Sequence, residues 1–123
     1  MKDPHQRILQ LESLLRAEIS KIFFKKIKDP RIARITITNV VLSNDLRIAK
    51  VFFRLFRINN SFTIPENIED IIESVNKAAG FIRYQLKKRL HLKIIPSLKF
   101  FFDDSVEYAE MIENKLRQIK GAK

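Results

Sequence analysis

The stretch KAAGFIRYQLKKRL, Lys77 to Leu90, keeps helical spacing straight through a glycine, in a chain of 123 residues that holds only 2 of them. Ahead of that glycine, Ile68, Ile71, Ile72, Val75 and Ala79 recur at helical intervals. Behind it, Ile82, Leu86 and Leu90 continue as a narrower apolar stripe. Two helices meeting at Ala78-Ala79-Gly80 account for both patterns, because small side chains permit close packing at an angle and glycine tolerates a bend. The spacing therefore predicts that Gly80 is the joint. It also predicts a backbone conformation or close approach there that a Cβ would spoil, so that Gly80→Ala costs about 1–3 kcal/mol.

Working outward, residues 5–27 read as an amphipathic helix, with Ile8, Leu11, Leu15, Ile19, Ile22 and Phe23 on one side. Lys28-Asp29-Pro30 stops it, since a residue before proline avoids the α region. The period then changes from helical to alternating. RITITNVVLS (34–43) and LRIAKVFFRLFR (46–57) are strands joined by Ser43-Asn44-Asp45. On the second, Ala49, Val51, Phe53 and Leu55 face the core, with Ile48, Lys50, Phe52, Arg54 and Phe56 opposite. After a loop at 59–61, Thr63 and Glu66 have capping-box spacing, with Pro65 in the first helical turn. SLKFFFD (97–103), preceded by Pro96, is a third strand. Asp104 with Glu107 caps a last helix whose Val106, Ala109, Ile112, Leu116 and Ile119 are expected to be buried. The order is α-β-β-α-α-β-α, an α+β single domain over the whole chain, with a core at about 5–119 and a short basic tail at 120–123. This order is similar to a type II KH domain, with helices packed on a three-stranded sheet, a fold often used on single-stranded RNA.

The charge balance narrows the partner. Lys and Arg number 24 against 14 Asp and Glu, a net charge of +10 and a pI of about 10.1. A lysine-rich compositional drift would scatter acids throughout. Instead, no acidic residue occurs from Ser74 to Phe102 or from Leu46 to Pro65, while Lys77, Arg83, Lys87, Lys88, Arg89, Lys93 and Lys99 fall in the first span. Such a distribution points to a polyanion.

On the helix after Gly80, Tyr84, Lys87, Lys88 and His91 share the face opposite the apolar stripe. That face offers charge for phosphates and a ring for a base, where helical lysines otherwise merely meet solvent. The helix start at Gly80-Phe81 adds N–H groups. The candidate RNA-binding residues are Lys25, Lys26, Lys28, Arg31, Arg83, Tyr84, Lys87, Lys88, Arg89, His91 and Lys93. Lys50, Phe52 and Arg54 form a weaker second candidate, since their face can equally be covered or solvated.

Enzyme signatures are missing. Two glycines cannot form a phosphate-binding loop, and His5 and His91 have no partner at metal-ligand spacing. Asp103-Asp104-Ser105 reads as turn and cap chemistry. The expectation is a non-catalytic protein with no metal and no cofactor. Without cysteine, disulfides are excluded. With neither a secretory h-region nor a run of about 18 apolar residues, a soluble cytoplasmic protein without a membrane segment is expected.

A family resemblance sharpens this. Ala78-Ala79-Gly80 followed by Phe81-Ile82-Arg83, Asp29-Pro30-Arg31 closing the first helix, Ser43 and Asp45 in the hairpin, and Lys50-Val51 in the second strand resemble ribosome-binding factor A. So do Pro96, Leu98, Phe100, Asp103 and Ser105, and Arg7 near the start; the loop from Arg57 to Pro65 has its own sequence, and the extended charged tail of some members is missing. The resemblance implies a monomeric bacterial assembly factor, associated with growth in the cold. It would bind the free small ribosomal subunit and its ribosomal RNA near the 5′ end and neck during late maturation, with an assembly GTPase linked to release. Two other readings stay open: a general KH-like single-stranded RNA-binding module, and a membrane-surface protein using basic amphipathic helices.

Overall fold

The structure, a computed structural model, describes residues 3–27, 35–55 and 67–121. Its elements are α1 (Pro4–Lys26), β1 (Ile35–Leu42), β2 (Ile48–Leu55), α2 (Ile68–Lys77), α3 (Ala79–Arg89), β3 (Ser97–Phe102) and α4 (Ser105–Gly121). The α+β order is the one expected. Lys28-Asp29-Pro30 and the Thr63–Glu66 capping box lie outside the described residues.

The sheet runs β1-β2-β3, with β1 antiparallel and β3 parallel to β2. Period-two alternation gives it one apolar side. Ala49, Val51 and Phe53 of β2, Val40 and Leu42 of β1, and Leu98 and Phe100 of β3 are all buried there. The α1 helix, capped by Asp3, whose side chain accepts the Gln6 N–H at 2.8 Å, lays Leu15, Ile19, Ile22 and Phe23 on that side. Ile71 and Val75 of α2 and Ile82 and Leu86 of α3 complete the core. The Phe23 and Phe100 rings meet edge to face at 5.7 Å between centroids, joining the helical layer to the sheet.

Both outer strands have part of their free backbone satisfied by side chains. The amide of Asn76 donates to the Phe100 carbonyl at 3.1 Å and accepts the Phe100 N–H at 2.9 Å. On the other edge, Glu12 of α1 accepts the Leu42 N–H at 2.8 Å. These contacts place polar groups where another strand would pair. In the β1–β2 turn, Leu46 has φ 63, a left-handed conformation costly for a leucine. It is half-buried against the core, and its N–H donates to the Ser43 carbonyl at 2.9 Å.

Two expectations need correction. The joint between α2 and α3 is Ala78, which ends one helix and caps the other with φ −82 and ψ −7. Its N–H turns back to the Val75 carbonyl at 3.0 Å, while its own carbonyl accepts the Ile82 N–H at 3.0 Å. Gly80 sits in the first turn of α3, exposed, without a positive φ, and with nothing within 4 Å of where a Cβ would stand. The small residues that matter for the angle are therefore Ala78 and Ala79, both half-buried against the core.

The second correction concerns α4. From Ser105 to Lys120 every residue is exposed except the half-buried Glu107. Leu116 is 55% exposed and Ile119 69%. The apolar stripe exists, but α1, α2 and α3 already cover the apolar side of the sheet. Instead α4 is held at its first turn. Arg54 of β2 donates to both carboxylate oxygens of Glu107, at 2.9 and 2.7 Å, and to the Asp103 carbonyl at 2.8 Å. Asp103 accepts the Ser105 N–H at 3.0 Å and the Thr38 hydroxyl at 2.8 Å, Thr38 standing where the β1–β2 register slips.

Candidate nucleic-acid interface

The geometry of α3 follows from its buried stripe. With Ile82 and Leu86 fully inside, the residues one or two positions away turn outward. Tyr84 is 55% exposed, and Lys87 and Lys88 are exposed beside it. The Lys88 ammonium stands 4.7 Å from the Tyr84 ring centroid, a cation–π contact one helical turn apart.

Arg83 reaches off the helix. Its Nε and Nη2 donate to the Ile95 carbonyl at 3.3 and 3.0 Å, fixing the irregular segment that leads to β3. That tie uses two of the five guanidinium N–H donors and leaves three. Between α3 and the segment lies a cleft of about 310 Å³ lined by Arg83, Lys87, Lys93 and the apolar Leu90, Leu92, Ile94 and Ile95. Three cations converge on it and no carboxylate lines it. Such a site suits a phosphate, with apolar walls for a sugar or a base edge.

The other candidates are placed differently. Arg89 spends a guanidinium N–H on Glu18 of α1 at 3.3 Å, with both side chains largely covered, so it works as a strut between helices. His91 is exposed but lies beyond the helix, because Leu90 is already extended (φ −113, ψ 138). It therefore does not continue the Tyr84–Lys87–Lys88 face, and this part of the expectation is corrected. Lys25 and Lys26 stand exposed in the last turn of α1, where their charge also complements the helix dipole. They belong to a different element from the cleft. Lys28 and Arg31 lie outside the described residues.

Sequence reasoning missed two features. Phe24, 86% exposed beside Lys25, breaks the helical apolar pattern, a signal visible in hindsight as a bulky ring on the charged side. The apolar lining from Leu92, Ile94 and Ile95 left no signal, because tertiary contacts bring it under α3: the Arg83–Ile95 bonds and the packing of Leu92 and Ile95 against the core. Among the described residues no cluster of His, Asp or Glu has metal-binding geometry, and no helix is long and apolar enough to cross a membrane.

The family model of ribosome-binding factor A matches residues 7–116. The chain belongs to the ribosome-binding factor A family. Ribosome-binding factor A of Thermodesulfovibrio yellowstonii is 41% identical over 117 residues, covering 95% of this chain and 93% of that one. The crystal structure of ribosome-binding factor A from Thermus thermophilus superposes with a TM-score of 0.64 at 23% identity, over 77% of this chain and 93% of that chain. A model of the Thermus thermophilus factor fitted into a map of its complex with the 30S subunit gives a TM-score of 0.58 at 23% identity, over 74% and 89% of the two chains. At that identity the two structures bear on the fold, which is that of ribosome-binding factor A.

Proposed function

We propose that this chain is a non-catalytic assembly factor that binds the free small ribosomal subunit through its ribosomal RNA, near the 5′ end and neck, during late maturation. The observation that carries the reading is the carboxylate-free cleft where Arg83, Lys87 and Lys93 converge. Beside it, Tyr84 and Lys88 add a ring and a further cation. Membership of the family, and the Thermus thermophilus member's complex with a 30S subunit, support the choice of partner. Lys25 and Lys26, in the last turn of α1, extend the contact, with Lys28 and Arg31 as further candidates from the sequence, while Arg89 contributes through the α1–α3 strut. In this reading the factor acts as a cytoplasmic monomer, with growth in the cold as its setting. It holds an RNA arrangement on a preformed basic surface and leaves with the help of an assembly GTPase.

Co-sedimentation tests this. The chain is mixed separately with purified free small subunits and with anionic lipid vesicles, across a salt series. Binding to subunits with a slope of log affinity against log salt of about −3 to −5 is expected, as for several phosphate contacts. Firm binding to vesicles with none to subunits overturns the proposal. Binding every single-stranded RNA as tightly as the subunit reduces it to a general RNA-binding module.

A further inference from the structure

Helices α1, α2 and α3 occupy one side of the sheet, and the other side, which α4 meets through Glu107 at the Arg54 end, has a composition of its own. No strand contains an acidic residue, and the only charged side chains on the three strands are Lys50, Arg54 and Lys99. Arg54 is engaged with Glu107 and Asp103 at one end. Lys50 and Lys99 are paired directly across β2 and β3. Both are exposed, and among the described residues neither has an ion-pair partner. Like charges placed opposite each other on a sheet are destabilising, so the pair is not there to hold the strands together.

The next row along the same face is aromatic. Phe52 and Phe101 are also direct cross-strand partners. Their rings stack at 5.7 Å between centroids with an interplanar angle of 30°, and Phe101 is 40% exposed. Val41 stands opposite Lys50 and Asn39 opposite Phe52 on the β1 side, both exposed. Among the described residues, the carboxylates that flank β2 and β3 in the chain, Asp45 and Asp103, are occupied. Asp103 and Glu107 are taken as above, and Asp45 in the β1–β2 turn accepts the Ser43 hydroxyl and the Arg47 N–H.

We propose that this open sheet face is a second binding site, for single-stranded RNA, with bases stacking on Phe101 and Phe52 and phosphates meeting Lys50 and Lys99. A flat aromatic pair beside unpaired cations is complementary to a ligand that is both a polyanion and a set of flat rings. Single-stranded nucleic acid has that chemistry, and other small RNA-binding modules stack bases on the aromatics of an open sheet. The site lies on the side of the sheet opposite α3, so the chain holds two RNA segments apart on its two faces. It is independent of the α3 cleft, and each can fail without the other.

The test is fluorescence anisotropy of a labelled decauridylate, with no ribosomal subunit present. Phe101→Leu keeps an apolar side chain and removes the ring. Affinity is expected to fall about fivefold or more, with an unchanged salt slope. Phe101→Tyr keeps the ring and binds within about twofold of the parent, which separates stacking from any loss of folding. Lys50→Gln combined with Lys99→Gln reduces the salt slope by about 1.4, at about 0.7 per phosphate contact on a single strand. The Phe101→Leu effect persists when Lys87 and Lys88 are both replaced by alanine, so failure of the α3 reading and failure of this one are distinguishable. Phe101→Leu binding the oligonucleotide as the parent does overturns the site. So does inorganic polyphosphate of equal charge competing as well as RNA, which leaves only nonspecific electrostatics. A parent that sediments as a dimer dissolved by Phe101→Leu also overturns it, since the face is then occupied by a second copy.

Discussion

Asn76 of α2 pairs with the backbone of Phe100 as a neighbouring strand would, donating to its carbonyl and accepting its N–H at 3.1 and 2.9 Å. One side-chain amide thus closes part of a sheet edge and docks α2 beside β3. Asn76→Ala is expected to destabilise the fold by about 1–2 kcal/mol, because two backbone groups lose their partners together. Asn76→Asp should cost at least as much, since it keeps the acceptor but sets a charge against the carbonyl. Urea unfolding measures both, and an alanine variant within about 0.3 kcal/mol of the parent would show that water replaces the amide without loss.

Gly80→Ala is expected to leave stability unchanged or raise it by up to about 1 kcal/mol. The position is helical, has no positive φ, and leaves a Cβ in open space. Alanine then gains helix propensity and restricts the unfolded chain. A clear loss on thermal unfolding would mean that the helical joint lies closer to Gly80 than Ala78.

Leucine-to-alanine changes at two helical positions separate the body of the fold from α4. Leu86→Ala empties a fully buried site and should cost about 2–5 kcal/mol. Leu116→Ala, at a position 55% exposed, should stay within about 0.5 kcal/mol. Equal losses in calorimetry would require a packed α4.

The carboxyl of Asp103 is desolvated, which alone would raise its pKa. The Ser105 hydrogen bonds, the Thr38 hydroxyl and the Arg54 charge outweigh that and hold it below the ordinary 3.8. A depressed folded-state pKa contributes stability above the unfolded value, and that stability is lost as pH falls through the folded one. Asp103→Asn should therefore be less stable than the parent at neutral pH, with the gap narrowing as pH drops below about 4. A gap that stays constant down to strongly acidic pH would remove the charge from the explanation.

Replacing Lys87 and Lys88 together by alanine should barely change folding, since exposed positions contribute within about 0.5 kcal/mol each. Binding to small subunits should weaken by about 1 kcal/mol or more, with a shallower salt slope. Undiminished sedimentation with subunits would exclude this face of α3.

What the sequence made legible was local periodicity. Alternation placed Ala49, Val51 and Phe53 inward, and helical spacing found Leu15, Ile19 and Ile22 on α1 and Ile82 and Leu86 on α3. The change between helices was visible to within two residues, but glycine marked it less well than the two alanines, whose small size lets the helices meet. The α4 stripe was read as buried because amphipathicity reveals a side that prefers cover, not whether a surface remains to cover it. Within the candidate site, charge density pointed to α3. It could not tell Lys87, which lines the cleft, from Arg89, which is tied to Glu18, because that distinction depends on a contact between residues far apart in the chain.

The parallel pairing of β2 with β3 fixes the order in which the molecule can be completed. Everything between Leu55 and Ser97, including both central helices, is threaded before the strand that closes the sheet. Such a crossover forms only after a long loop has closed. A chain halted short of Ser97 has no Phe100 to meet Asn76, no Phe101 beside Phe52, and no strand to support Pro96 and the segment below Arg83. During synthesis the basic helix α3 therefore emerges just ahead of β3, the strand that completes its support, so the nascent chain carries that charge before it carries its finished recognition surfaces.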